Sequence, residues 1–379
     1  MRLSLILPCL ASLGLLVAGV HADPPPLTMR VVRQGLIEGY PAGTKTPEGK
    51  TAYFESSAIA TDGTAVWFIG DKPAPAATLS TVVRVPLAKL KEKALVPFAD
   101  VQPVAAEEFK KAQKIESTAL SEEGVRFAST AFDRFKPESN VYDEFNIILA
   151  WRGPDIGQAA VLNPLTLDGV TSSIALRKPI RATLAETQWP KGPPYIKIEG
   201  LAALPGKRLW FGIREAGENG DSAAGFSYRF AVLETRWEEK DGRIGIAPEF
   251  RKVFEATPER LAGAGVTGTV GLSSLEYDPH RGIVWAVASW EDETKDGSWL
   301  LALTLPAAGE TPRLLPVRSA DGKPLSFSHK VEGLCVVDDH TLLLASDEDR
   351  RATVVETPEG PKTREPHMGA WTLLETAVP

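Results

Sequence analysis

Lys197-Ile198-Glu199-Gly200-Leu201-Ala202, the turn Pro205-Gly206 and Leu209-Trp210-Phe211-Gly212-Ile213 form one unit: a Lys-apolar-Glu phrase, a first apolar run, a tight turn and a second apolar run. Its opening phrase recurs at Lys114-Ile115-Glu116 and Lys330-Val331-Glu332, with Tyr53-Phe54-Glu55 as a variant first copy. Set in register, the copies begin at Glu55, Glu116, Glu199, Val270 and Glu332. Asp62-Gly63, Asp278-Pro279 and Asp338-Asp339 supply the turns elsewhere, and each unit reads as a β-hairpin followed by further strand-like runs.

Repetition of strand-rich units with little helical periodicity predicts an all-β fold, a single β-propeller of three to four antiparallel strands per blade. The expected domain is 23–379. Five units are visible, and a sixth is equally compatible with the strand-like runs Ala160-Val161-Leu162 and Ser173-Ile174-Ala175-Leu176. Met29 to Glu38 and Ala370 to Leu374 read as terminal strands that share a blade. Short helices are expected at Ala105–Gln113 and Pro258–Ala262.

Residues 1–22 read as a secretory signal: Leu3 to Val20 is almost wholly apolar, and Val20-His21-Ala22 places small residues at the cleavage positions. The expected protein is exported, periplasmic or extracellular, with no membrane association after cleavage, and monomeric. Cys9 leaves with the signal, so Cys335 stands without an intramolecular partner. The formal charge is −7, and −8 without Arg2, with acids and bases interspersed; nucleic acid is not an expected partner.

Ile198-Glu199-Gly200-Leu201-Ala202 and Val331-Glu332-Gly333-Leu334, each leading to a second apolar run, resemble an uncharacterised bacterial exported propeller family, a domain of unknown function with repeated Glu-Gly-Leu motifs. More loosely the chain is similar to the propellers described as having esterase-like activity of phytase. The first resemblance implies a fold and carries no reaction. Val270-Gly271-Leu272 departs from the motif, and the first two copies carry Glu-Ser.

In a propeller the first strand of each blade lines the channel, so Glu55, Glu116, Glu199 and Glu332 are expected to converge there. Such a ring suits Ca²⁺, which takes oxygen ligands, or supplies a carboxyl of raised pKa for general acid–base work with Glu199, Glu332 and the adjacent His329. Against both stand Lys114, Lys197 and Lys330, which on strand alternation share a face with their glutamates and neutralise them. The ends of the second runs, among them Arg214, Asp347, Asp349 and Arg350, form a candidate ligand shell on one rim. Trp237 and Trp290, at strand ends, offer aromatic faces to a sugar.

HExxH, GxSxG and CxxC motifs do not occur, which leaves zinc proteases, typical serine esterases and zinc ribbons without support. Two functions stay open: a module binding a small molecule, glycan or protein on one rim, and a Ca-dependent hydrolase of an ester, lactone or phosphoester.

Overall fold

A computed structural model describes residues 27–133, 143–292, 295–307, 310–347 and 351–377; the segment read as a signal lies outside them. The first element of the described residues is β1 (Leu27–Glu38), and the blades follow in order. Blade 1 holds β2 (Ser56–Thr61), β3 (Ala65–Gly70) and β4 (Val82–Pro86); after helix α1 (Leu87–Glu92), β5 (Leu95–Val96) pairs with β1 and β6 (Gln102–Pro103) edges the blade. Helix α2 (Glu107–Lys111) leads to blade 2, made of β7 (Ile115–Leu120), β8 (Val125–Thr130), β9 (Ile148–Arg152) and β10 (Ala160–Val161).

A small hairpin, β11 (Leu165–Leu167) and β12 (Val170–Ser172), and helix α3 (Arg177–Thr183) come next. Blade 3 follows with β13 (Tyr195–Leu204), β14 (Arg208–Gly217), β15 (Phe226–Lys240), β16 (Arg243–Ile246) and β17 (Arg251–Glu255). After helix α4 (Pro258–Gly263), blade 4 holds β18 (Gly271–Asp278), β19 (Ile283–Glu291), β20 (Asp296–Thr304), β21 (Leu314–Arg318) and β22 (Ser326–Phe327). Blade 5 holds β23 (Val331–Val336) and β24 (Thr341–Ser346); past the hairpin β25 (Val354–Thr357) and β26 (Gly360–Thr363), it continues with β27 (Met368–Thr376).

Five blades, not six, close the ring. The innermost strands β2, β7, β13, β18 and β23 pack side by side, and β23 lies against β2. The runs that suggested a sixth blade go elsewhere: Ala160-Val161 is the edge of blade 2, and Ile174–Leu176 is a 3₁₀ turn leading into α3. Closure is made by the terminal strands, since β1 pairs antiparallel with β27 from Met29↔Thr376 to Glu38↔Met368 as the outer strand of blade 5.

Each blade is buried on both faces by its neighbours, which is why second strands such as Ala65–Gly70 are apolar and buried throughout rather than alternating. One hydrophobic core fills each blade interface. Trp67 and Ile69 meet Phe109, Leu149 and Trp151 between blades 1 and 2; Phe127 meets Phe211 and Trp237 between 2 and 3; Trp210 and Val232 meet Leu272 and Ala286 between 3 and 4. Trp285 and Val287 meet Leu342 and Leu344 between 4 and 5, and Leu343 and Trp371 meet Phe54, Phe68 and Val83 where 5 meets 1. Trp237, expected to offer a sugar-stacking face, is buried with its ring 5.8 Å from that of Phe127.

The inner hairpins turn where the sequence places its Asx and glycine residues. Asp62 Oδ1 accepts from the Thr64 and Ala65 amides at 2.8 Å while Gly63 takes φ +83°; Asp278 Oδ1 holds the His280 amide at 2.9 Å. The glycine of the Glu-Gly-Leu phrase has a packing cause: a Cβ on Gly200 would lie 2.7 Å from Leu272 Cδ2 of the next blade. Among the described residues no helix is long and apolar enough to cross a membrane.

Candidate functional site

Strand pairing corrects the register of the repeat. In every blade the pairing of first and second strand slips at the same place, between Ser56 and Ala58, Ile115 and Ser117, Ile198 and Gly200, Leu272 and Ser274, and Val331 and Gly333, and blade 3 slips a second time between Lys197 and Ile198. The residue standing out of the ladder is therefore Ser57, Glu116, Glu199, Ser273 or Glu332, a β-bulge that re-aims its side chain. Glu55 is not equivalent to the other three glutamates; it occupies the position that Lys114 and Lys330 take in their blades. Likewise Ser273, not Val270, holds the bulge in blade 4.

Because inner strands start, and second strands finish, at the same end of the channel, charged residues from all five blades gather there. Among the described residues two groups of three carboxylates result, with ligand oxygens within 4.8 Å of one another: Glu116, Glu199 and Glu332, and Glu55, Asp71 and Asp347. All six are buried, between 1% and 4% exposed. The sequence-predicted Glu55, Glu116, Glu199 and Glu332 thus do meet at the channel, divided between two clusters.

The lysines answer these acids unevenly. Lys197 pairs with its own Glu199 at 2.5 Å, and Lys330 lies 2.9 Å from both Glu332 and Glu291. Lys114 turns instead to Asp133 at 2.7 Å, while Lys72, unremarked in the repeat, serves Glu55 at 3.0 Å and Asp71. Arg214, expected as an anion fork on the rim, is fully buried and directed at Glu199 (3.0 Å), Glu215 (3.5 Å) and Glu291 (3.5 Å). The contacts to Glu199 are charge contacts rather than aligned hydrogen bonds.

Protonation follows from these surroundings. Burial pushes Glu116 up to about 8; Lys197 offsets part of this and the charges of Glu199 and Asp71 add to it. Glu332 is raised well above the carboxylate range by burial, despite Lys330. Glu199 is also subject to burial, yet Arg214 and Lys197 overcome it and hold it below its ordinary value. Burial, then Asp347 and Asp71, lift Glu55 to about 7 against the pull of Lys72.

An acid whose pKa is higher in the folded than in the unfolded chain stabilises the fold when protonated. The contribution of Glu55 is thus full below its unfolded value of about 4.3 and is lost as pH rises through the folded value. Lowering pH from about 8 to about 6 is expected to stabilise the protein through Glu55 by about 1 kcal/mol, and Glu55→Gln to flatten that slope. Equal slopes of unfolding free energy in the two proteins would contradict the assignment.

Other expected site residues lie apart or outside the described residues. His329 is half-buried, and its carbonyl accepts from Ser298 Oγ at 2.8 Å; it belongs to neither carboxylate group. Asp349 and Arg350 lie outside the described residues, whereas Asp347 accepts a hydrogen bond from Ser57 at 3.1 Å inside the cluster.

One feature of the channel end has no counterpart in the repeat. A solvent-open cleft of about 840 Å³ lies between the loops 45–53 and 72–75; Glu55 and Lys72 are in its lining, with Tyr53, Ala52, Pro47, Pro73 and Pro75. Lys72, about one-third exposed, links this cleft to the buried Glu55 and Asp71. At the opposite end the channel narrows to a cavity of about 40 Å³ beside Arg126, Glu276 and the buried Cys335.

No protein-family model matches the chain, and no curated protein matches it significantly. Among solved structures it is similar to a Microbacterium saccharophilum K-1 β-fructofuranosidase catalytic domain, at 11% identity and a TM-score of 0.38, over 84% of this chain and 68% of that one. A multiply substituted variant of that β-fructofuranosidase gives 11% identity and a TM-score of 0.36, over 84% of this chain and 62% of the other. The propeller assignment rests on the blade topology described above.

Proposed function

We propose that this protein is an exported, monomeric binding propeller that recognises a small polyhydroxylated molecule of the saccharide class at the charged end of its channel. The observation that carries the reading is the open cleft whose lining joins Tyr53 and proline walls to the partly exposed Lys72 ammonium, which is backed by the buried Glu55. Hydroxyl groups accept from ammonium groups, and an aromatic side chain supports a sugar face. The leader-like residues 1–22 and the Glu-Gly-Leu phrases support placing the chain with exported propellers of the uncharacterised family it resembles.

Hydrolysis is the weaker reading. A carboxyl held protonated beside one held ionised is the pairing an acid–base mechanism uses. Glu116, Glu199 and Glu332 are, however, at most 4% exposed, so an ester or phosphoester has no described route to them.

Calorimetric titration with a panel of mono- and oligosaccharides tests the proposal. At least one is expected to bind, and Tyr53→Ala and Lys72→Met are each expected to weaken its affinity by about 10-fold or more. Absence of any saccharide binding, or binding indifferent to both substitutions, would remove the cleft as the site.

A further inference from the structure

The geometry points to a divalent-cation site on the channel axis, formed by Glu116, Glu199 and Glu332 and taking a hard ion of the calcium class. It is independent of the saccharide reading, because none of the three residues lines the cleft. Three separate blades deliver the ligands, each from the bulge of its inner strand, and their oxygens lie no more than 4.8 Å apart. Oxygens at about 2.3–2.6 Å from a common calcium ion fall within that span. Among the described residues neither histidine nor cysteine joins the group, so the donor set is all oxygen, suited to calcium or magnesium rather than zinc.

The polar atoms of the triad are incompletely answered by the protein. Glu116 is 4% exposed, and the lysines nearest in sequence and in the adjoining blade are directed elsewhere, Lys114 to Asp133 and Lys197 to Glu199. Glu332 Oε1 meets Lys330, but its buried Oε2 has no hydrogen-bond partner. Buried carboxylate oxygens left in this way are costly, and a cation is the partner that satisfies several at once.

Lys197, Arg214 and Lys330 meet Glu199, Glu215, Glu291 and Glu332, which leaves Glu116 as the acid of the triad outside any ion pair among the described residues. The remaining bulge positions carry serines that are otherwise engaged: Ser57 donates to Asp347, and Ser273 donates to the Val331 carbonyl at 3.0 Å. They leave the axis to the three glutamates.

The test uses the full mature chain, stripped with chelator and titrated by calorimetry with calcium, magnesium and manganese separately, alongside thermal melts. One ion per chain is expected, with a melting temperature that climbs with free calcium concentration. Glu116→Gln is expected to weaken calcium binding by about 100-fold or more while the stripped protein still melts cooperatively, since among the described residues this side chain is in no ion pair. Glu332→Gln supplies the second reading, with the same loss of the calcium-dependent increment. Lys72→Met is expected to bind calcium like the parent, so loss of the cleft ligand and loss of the ion separate. Stripped protein that takes up no ion at millimolar calcium, or uptake that survives both glutamate substitutions, overturns the site and leaves the triad held by shared protons.

Discussion

Arg214→Met is expected to lower the free energy of unfolding by about 3–5 kcal/mol, among the largest effects of any single substitution in this chain. Its guanidinium is fully buried between blades 3 and 4, within 3.5 Å of Glu199, Glu215 and Glu291, and lies 5.2 Å from the centre of the Tyr228 ring. It also donates to Ser289 Oγ from the neighbouring blade. Methionine fills most of the volume and removes the charge, which strands carboxylates where water does not reach. The cost is the desolvation of those partners rather than the intrinsic worth of the pairs.

Two companions make the expectation specific. Arg214→Lys should recover only part of the loss, because an ammonium cannot present the planar fork that reaches acids on two blades. Adding Glu199→Gln to Arg214→Met should restore some stability, because it removes one stranded charge; the non-additivity measures their coupling. Urea unfolding provides the measurement. A midpoint for Arg214→Met equal to that of the parent would show that Glu199, Glu215 and Glu291 need no counter-charge there.

The same network shows what was legible in the sequence. The inner hairpins are readable because each is two apolar runs joined by an Asx, proline or glycine turn, and those signals are local. The shared terminal blade is readable for a similar reason: Met29 to Glu38 and Ala370 to Leu374 are strand-like runs that no internal unit claims. Blade number is less readable. A short apolar run such as Ser173-Ile174-Ala175-Leu176 has no periodicity to distinguish a strand from a 3₁₀ turn, and here it ends in a helix.

The register of the charged phrase is hidden by the bulges. One extra residue in a strand leaves no periodic trace, so the repeat wrongly equates Glu55 with Glu116, and the expected lysine–glutamate pairing holds for Lys197 with Glu199 and Lys330 with Glu332 but not for Lys114, which turns to Asp133. Ser57 and Ser273 hold the equivalent positions yet share no chemistry with the glutamates, so only pairing reveals them. Lys72 escapes because it follows a second strand rather than opening a first. The cleft is invisible because loops 45–53 and 72–75 are proline- and threonine-containing turns whose course is set by tertiary contacts, such as the Phe54 amide bonded to the Pro366 carbonyl at 2.8 Å.

Removing residues 27–38 is expected to abolish cooperative folding. A propeller is a closed ring of interfaces, and here one blade is completed only when the first strand of the chain pairs with the last. Strand β1 pairs with β27 from Met29 to Glu38, with β5 through Leu36 and Ile37, and with β21 through Leu27 and Thr28. Met29, Leu36 and Ile37 are each at most 1% exposed. Their burial alone stabilises the fold by about 5–8 kcal/mol, comparable to the whole stability of an ordinary domain of about 5–15 kcal/mol. Without the strand, β27 presents an open edge, and blades 4 and 5 lose the pairing that joins them. The truncated chain should elute as expanded or aggregated species and lose its sharp thermal transition. A peptide of residues 27–38 added in trans should restore the transition in a concentration-dependent way, whereas the same peptide with Gly35→Val should not. At Gly35 a Cβ would lie 2.4 Å from the Ala94 carbonyl oxygen and 2.6 Å from the Trp371 ring, so any side chain there prevents the strand from seating. If the truncated chain instead unfolds cooperatively near the parent's midpoint, four blades and an incomplete fifth are sufficient, and closure by β1 contributes little.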